Sequence, residues 1–272
     1  MPEIPEIETV RYHLDHYVRG KTVSSIDVLR EKSINLSPQE LAANLRGQQI
    51  TQIRRRAKIL IISFGNNTSL VVHFMLDGYA RFFYPHEIPA KQPSVLLTFT
   101  TGERLGFFAI NLGYIHFYPT TELTEIPELE NLGPEPLSPD FTLARFENLL
   151  AQRRGMIKPL LMDQSFIAGI GNVYSNEILF CSRILPNRQV AQITGNEIGL
   201  LYNCLQSILR KAIAAGGVND EKFASDDALT GGYEPHLLVA YRTGEACYNC
   251  GTAIETKRVG GRNAFFCPQC QH

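Results

Sequence analysis

The sequence predicts an α+β protein: a β-rich N-terminal half, a helical part, and a small metal-bound tail. Three observations carry this. Many short runs between residues 25 and 118 alternate apolar and polar residues and end in turn signals, the pattern of a sandwich or a barrel. Asn131-Leu132-Gly133-Pro134-Glu135-Pro136-Leu137-Ser138-Pro139 then breaks the alternation, and helical periodicity follows it. Two Cys-x2-Cys pairs close the chain, Cys247 with Cys250 and Cys267 with Cys270.

The elements follow in order. Residues 5–18 read as a helix: Pro5 suits its first turn, Glu6 and Glu8 suit the positive end of its dipole, and Ile7, Val10, Leu14 and Tyr17 recur at helical spacing. Strands are expected over 25–30, 49–55, 59–64, 69–74, 79–84, 95–100, 104–108 and 114–118, with Gly65-Asn66-Asn67 and Thr101-Gly102 as turns. Helices are expected over 140–151, 157–163, 174–183 and 193–215, the last ended by Gly216-Gly217. This divides the chain into a domain over 1–130, a linker over 131–139, a helical domain with a long loop over 140–236, and a metal-bound tail over 237–272.

Composition excludes several classes. With 44% hydrophobic residues in a chain of 272, a large core is possible and disorder is not expected. The apolar runs are far too short for a membrane span, and the acidic N-terminus lacks the features of a signal peptide. A cytoplasmic protein with no membrane partner is expected. The net charge of −1 argues against a general polycation coat but leaves room for a local basic stripe.

The cysteine pairs carry the clearest chemistry. Two tight turns on a β-hairpin bring four thiolates together as a closed tetrahedral shell, the pattern of a structural Zn2+, one per chain. A pair of disulfides or a redox dithiol is the alternative. Cys181 and Cys204 lie in helical segments and read as buried apolar residues. Between the two pairs, Gly260-Gly261 suits a hairpin tip with Arg262 beside it, fit for a phosphate or simply solvated.

The N-terminus is a second chemical candidate. Removal of Met1 would leave the secondary amine of Pro2 as the chain end, and an α-amine titrates near ~8. Such an amine attacks a carbonyl-like carbon and forms an iminium. Glu3 stands beside it to move a proton, and Glu6 follows one helical turn later. The plainer reading is a favourable helix start.

Taken together these residues resemble the formamidopyrimidine-DNA glycosylase and endonuclease VIII family of base-excision repair enzymes. The resemblance rests on Pro2-Glu3-Ile4-Pro5-Glu6-Ile7-Glu8-Thr9, Arg55-Arg56-Ala57-Lys58, Leu132-Gly133-Pro134-Glu135-Pro136-Leu137, Ile157 to Gln164, Ile167 to Phe180, and the four-cysteine hairpin with Arg262. It covers essentially the whole chain in the family's order. It implies an N-terminal β-sandwich, a helix-two-turn-helix domain and a C-terminal β-hairpin zinc finger, with damaged double-stranded DNA between the domains and the target base flipped out. It implies a monomer acting at a bacterial nucleoid.

The resemblance also implies roles. Pro2 would attack the sugar C1′ and Glu3 would protonate the opening sugar, with Glu6 in support. Lys58 would assist elimination beside the lesion, and Arg262 would grip a phosphate for a second elimination. Lys158, Asn172 and Arg154 would meet DNA. His73 on its own reads as a satisfied core histidine.

Two stretches depart from the family's pattern. Residues 73–78 read His-Phe-Met-Leu-Asp-Gly, so Leu76 stands where the guanine-lesion branch has a void-filling methionine. Residues 108–113 read Phe-Ala-Ile-Asn-Leu-Gly, with no arginine to read the orphaned cytosine, leaving Asn111 and Leu112 as the DNA-facing candidates. The segment Gly216-Gly217-Val218-Asn219 lacks the hydroxyls usual near the base. Weak or altered opposite-base discrimination is expected. The family's alternative specificity is for oxidised pyrimidines, and the non-enzymatic alternative is a lesion-binding protein.

Overall fold

In the computed structural model, which describes residues 1–218 and 221–272, the chain opens on helix α1 (Ile4–Tyr17). Pro5 lies in its first turn, and Glu3 and Glu6 form a capping box, each carboxylate taking the other's backbone N–H. Ile7 and Leu14 on α1, and Val18 just after it, turn into the core. Strand β1 (Val23–Val28) follows, then helix α2 (Pro38–Leu45). The sequence reading has no helix there. The signal was present, since Ser37 and Glu40 form a capping box around Pro38, but the helix has only eight residues.

The remaining strands of this half are β2 (Ile50–Arg56), β3 (Ile59–Phe64), β4 (Thr68–His73), β5 (Tyr79–Phe83), β6 (Val95–Phe99), β7 (Arg104–Phe108) and β8 (Tyr114–Pro119). They form two antiparallel four-stranded sheets, ordered β1-β6-β7-β5 and β2-β3-β4-β8. The open choice between sandwich and barrel thus falls to a sandwich. Leu60, Ile62, Leu70 and Val72 of one sheet share a single buried cluster with Val95, Leu97, Leu105 and Phe107 of the other. Each such side chain contributes roughly 1.5–3 kcal/mol on burial.

Two loops at the strand ends meet because glycine allows it. A Cβ on Gly113 would stand 2.1 Å from the carbonyl oxygen of His73. The loop after β4 therefore touches the loop before β8. Arg30 fastens the latter, donating from Nε to the Ile110 carbonyl at 3.0 Å and from Nη2 to that of Asn111 at 3.2 Å.

After helix α3 (Pro127–Glu130) come α4 (Leu143–Ala151), α5 (Ile157–Leu161), α6 (Asn172–Cys181) and α7 (Gly195–Ala214), then the hairpin β9 (Glu255–Val259) and β10 (Arg262–Phe266). The chain divides into two compact units, Met1–Glu130 with Ala215–Gly232, and Asn131–Ala214 with Tyr233–His272. The proline-rich stretch from Asn131 belongs to the second unit: Gly133 N–H donates to Gln164 and Gln206 donates to the Pro136 carbonyl. Residues 215–232, grouped with the helices in the sequence reading, cluster instead with the first unit. Asn219 lies outside the described residues.

One cysteine expectation is corrected. Cys181 at the end of α6 and Cys204 on α7 are joined by a disulfide, their Cα atoms 5.8 Å apart. Packing of α6 against α7 brings the two together, which local periodicity does not show. Among the described residues no helix is long and apolar enough to cross a membrane.

Candidate active site and nucleic-acid interface

In the first unit the N-terminus runs straight into buried carboxylates. Pro2 is half-buried, while Glu3 and Glu6 are only 2% and 4% exposed. The Glu3 N–H donates to Glu6 Oε2 at 2.8 Å, and the Val218 N–H donates to Glu6 Oε1 at 2.9 Å. The plain reading of a helix start is therefore correct. The same capping box holds two carboxylates immobile next to the chain end.

Lys58 sits in the turn between β2 and β3 and is 6% exposed. His73, at the end of β4, pairs with Ile59 across the sheet. Its ring stacks on Tyr114 at 5.5 Å. His73 is not the satisfied core histidine that the sequence suggests, because its buried Nδ1 has no hydrogen-bond partner. Burial, and then the nearby Lys58 charge, push its pKa down to about 4. Of the basic run before Lys58, Arg55 is committed elsewhere. Its Nε donates to Glu8 at 3.0 Å and its Nη1 to the Ala57 carbonyl.

Leu76 and Leu112 are exposed by 47% and 66% on the two loops that meet at Gly113. Asn111 is exposed beside Leu112, whereas Ile110 is fully buried in the sandwich core. The exposed side chains of the two loops are Leu76, Asp77, Asn111 and Leu112, and neither stretch contains an arginine of its own.

In the second unit Lys158, which the resemblance has meet DNA, is 0% exposed. Its ammonium donates to Asn172 Oδ1 at 3.0 Å, Ser175 Oγ at 2.9 Å and Asn176 Oδ1 at 2.9 Å. A buried ammonium needs such acceptors, and this set fixes the half-exposed Asn172 at the start of α6. Arg154 is exposed before α5 and lines a recess with Arg153, Pro159 and Gly260. Gly260 is there because the hairpin tip lies on α5, where a Cβ would meet Pro159 Cγ at 2.4 Å. Both tip glycines have positive φ, and Arg262 opens β10 as an exposed residue.

The hairpin's cysteines converge as expected. The sulfurs of Cys247, Cys250, Cys267 and Cys270 all lie within 4.8 Å of one another, with contacts of 3.5 and 3.9 Å. Four ligands about 2.3 Å from one zinc stand roughly 3.8 Å apart, so the donor set fits that ion. Phe265 N–H donates to Asn176, tying the hairpin to α6. Sequence reasoning missed Glu177. This buried carboxylate accepts the N–H groups of Leu238, Val239 and Ala240 at 2.7, 3.0 and 2.9 Å and so anchors the approach to the hairpin. Burial pushes its pKa up, against those three N–H groups. The contact is far apart in sequence and leaves no local mark.

Three family models match the chain: a formamidopyrimidine-DNA glycosylase N-terminal domain over residues 1–110, the H2TH domain of that enzyme over 132–223, and a zinc finger found in FPG and IleRS over 244–272. A formamidopyrimidine-DNA glycosylase of Alteromonas mediterranea is 36% identical over 271 residues, covering 100% of both chains. This chain belongs to the formamidopyrimidine-DNA glycosylase family. A Synechococcus elongatus relative of that name is 37% identical, covering 100% of this chain and 97% of its own. Lactococcus lactis Fpg in complex with abasic-site DNA superposes with a TM-score of 0.91 at 31% identity over 99% of each chain. A point mutant of the Lactococcus lactis protein in complex with Fapy-dG DNA gives 0.92 over 100% of both, and the wild-type protein with oxidised-pyrimidine DNA gives 0.90 over 100% of both. The four-cysteine hairpin is the family's zinc finger and carries one structural zinc.

Proposed function

We propose that the chain is a bifunctional DNA glycosylase and AP lyase acting on oxidised bases of the formamidopyrimidine and 8-oxoguanine type in duplex DNA. One observation supports this reading most: the N-terminal proline leads directly into two buried carboxylates locked by each other's backbone N–H groups. The processed Pro2 nitrogen attacks C1′ of the damaged nucleotide. The C1′–base bond breaks, and the base leaves with the bonding pair and takes up the proton that the Pro2 nitrogen gives up. Glu3 delivers a proton to the sugar ring oxygen, the ring opens, and a Pro2 iminium results. Loss of the C2′ proton then breaks the C3′–O bond and cuts the strand.

Glu6 holds the residue-3 N–H and so fixes Glu3. Lys58 works beside the opened sugar. Arg262, Asn172 and Arg154 bind phosphates, and Lys158 acts through Asn172 by holding its side chain. The zinc gives Arg262 a rigid base. Leu76 and Leu112 fill the space left by the flipped base. Asn111 is the only polar group of that trio, and a single amide reads an opposite base less strictly than a bidentate guanidinium. Discrimination among opposite bases is therefore weak. A DNA-binding role without catalysis is disfavoured because Pro2, Glu3, Lys58 and Arg262 are all present.

The test is strand cleavage on duplexes carrying a formamidopyrimidine lesion or an oxidised pyrimidine, each opposite all four bases. The proposal expects cleavage of the formamidopyrimidine duplex with rates that vary by less than about tenfold across opposite bases, one bidentate contact being worth ~1–3 kcal/mol. Cleavage of only the pyrimidine lesion would overturn the substrate assignment.

A further inference from the structure

The segment after α7 reaches the N-terminal carboxylates, and a side-chain cluster outside the chemistry above holds it there. At its near end Val218 N–H meets Glu6, and a Cβ on Gly217 would stand 2.3 Å from the same carboxylate oxygen. At its far end Asp227 is a hub. Its carboxylate accepts the N–H groups of Phe223 at 2.9 Å, Leu229 at 2.9 Å and Thr230 at 3.1 Å. Opposite Asp227 stands His13 on α1, about two helical turns beyond Glu6. His13 Nε2 lies 3.2 Å from Asp227 Oδ1 and 3.5 Å from Thr230 Oγ1. Its ring stacks on Phe223 at 5.2 Å with 8° between the planes. The side chains of His13 and Asp227 are 7% and 0% exposed.

Both ends of the segment are thus pinned to one helix, and that helix begins right after Pro2 and Glu3. Burial outweighs the attraction of Asp227 and lowers the His13 pKa, so the ring is neutral at pH 7. A neutral imidazole facing a carboxylate carries its proton on Nε2 and donates it. Phe223 lends the cluster stiffness, since its carbonyl also accepts the Phe82 N–H of β5 at 2.6 Å.

We propose that His13 is a positioning residue for base excision, setting through Asp227 where Gly217 and Val218 meet Glu6. This rests on the reading of Pro2, Glu3 and Glu6 as the reaction centre. Excision requires a bound base to sit beside those groups while its bond breaks. An abasic sugar has no base to seat, so attack by the Pro2 amine depends less on the segment.

The test compares unmodified protein, H13F and H13Q. H13F keeps a flat ring against Phe223 and removes the donor. H13Q replaces the N–H donor near the Nε2 position. H13F is expected to lower kcat for base excision about tenfold or more, since small misplacements cost that much, with KM little changed. Borohydride trapping on abasic duplex should stay near the unmodified level, and H13Q should recover most of the excision. H13F that excises normally, or that loses excision and trapping in equal proportion, overturns the positioning role alone. Failure of the unmodified protein to trap on abasic DNA overturns the reaction centre, and this role with it. Nitrogen NMR of the unmodified protein gives an independent check. It should find the His13 proton on Nε2 at pH 7, and a deprotonated Nε2 overturns the contact to Asp227.

Discussion

The sandwich and the zinc hairpin hold their chemical groups in different ways. In the sandwich, Glu3 and Glu6 are locked by hydrogen bonds on a helix whose Ile7 and Leu14 enter a core shared by two sheets. In the hairpin, β9 contributes Val259 and β10 contributes Ala264, Phe265 and Phe266 to buried surface, and little else. So small a unit buries too little to be stable alone, and four metal–sulfur bonds substitute for the missing core. The difference predicts that each region fails to a different insult.

Removal of the metal should have the largest effect. Structural zinc contributes on the order of 10–16 kcal/mol to the folding of comparable small units. Chelation, or Cys267→Ser, is expected to unfold residues 247–270 and abolish DNA retention while the sandwich keeps its thermal transition. Limited proteolysis with calorimetry reads both. Full DNA affinity without metal would break the contrast.

Next in size is Glu3→Gln. General acid catalysis contributes about 10²–10⁴ in rate, so base excision should fall by that range. Cleavage at a preformed abasic site should fall less, and metal content should not change. Equal losses on both substrates would mean that Glu3 serves the amine rather than the departing base.

Much of this was readable from residues alone. Ile59–Phe64 and Arg104–Phe108 match their strands end to end, the first an apolar run closed by Gly65-Asn66-Asn67 and the second preceded by the turn Thr101-Gly102. The cysteine pairs were equally legible, since metal chemistry imposes local spacing. The Cys181–Cys204 bond was not, because only helix packing brings those residues together. The burial of Lys158 was not legible either, because it depends on Asn172, Ser175 and Asn176 arriving from the next helix. The pairing of His13 with Asp227 spans most of the chain and has no local signature at all.

A smaller effect concerns His73 in the sandwich. Its folded pKa of about 4 lies below the ordinary 6.5. Between these values the unfolded chain takes up a proton and the folded one does not. Its contribution to stability is therefore full above about pH 6.5 and is lost as pH falls through about 4. NMR titration should show a midpoint near 4, and Lys58→Met should raise it only in part, because burial is the larger cause. A midpoint near 6.5 would mean that the ring is solvated.

The smallest effect is Arg262→Ala. Loss of one phosphate contact should reduce the log–log salt slope of DNA binding by about 0.9 and leave the hairpin folded. An unchanged slope would remove Arg262 from the phosphate set.

The central claim is that the chain end itself is the nucleophile. Borohydride trapping on abasic duplex DNA tests it most directly, with protein processed to Pro2 set against protein that keeps Met1. The processed form is expected to cross-link, and the peptide carrying DNA should be the one that begins at Pro2. Equal trapping by protein that retains Met1, or a cross-link on Lys58, would contradict the account.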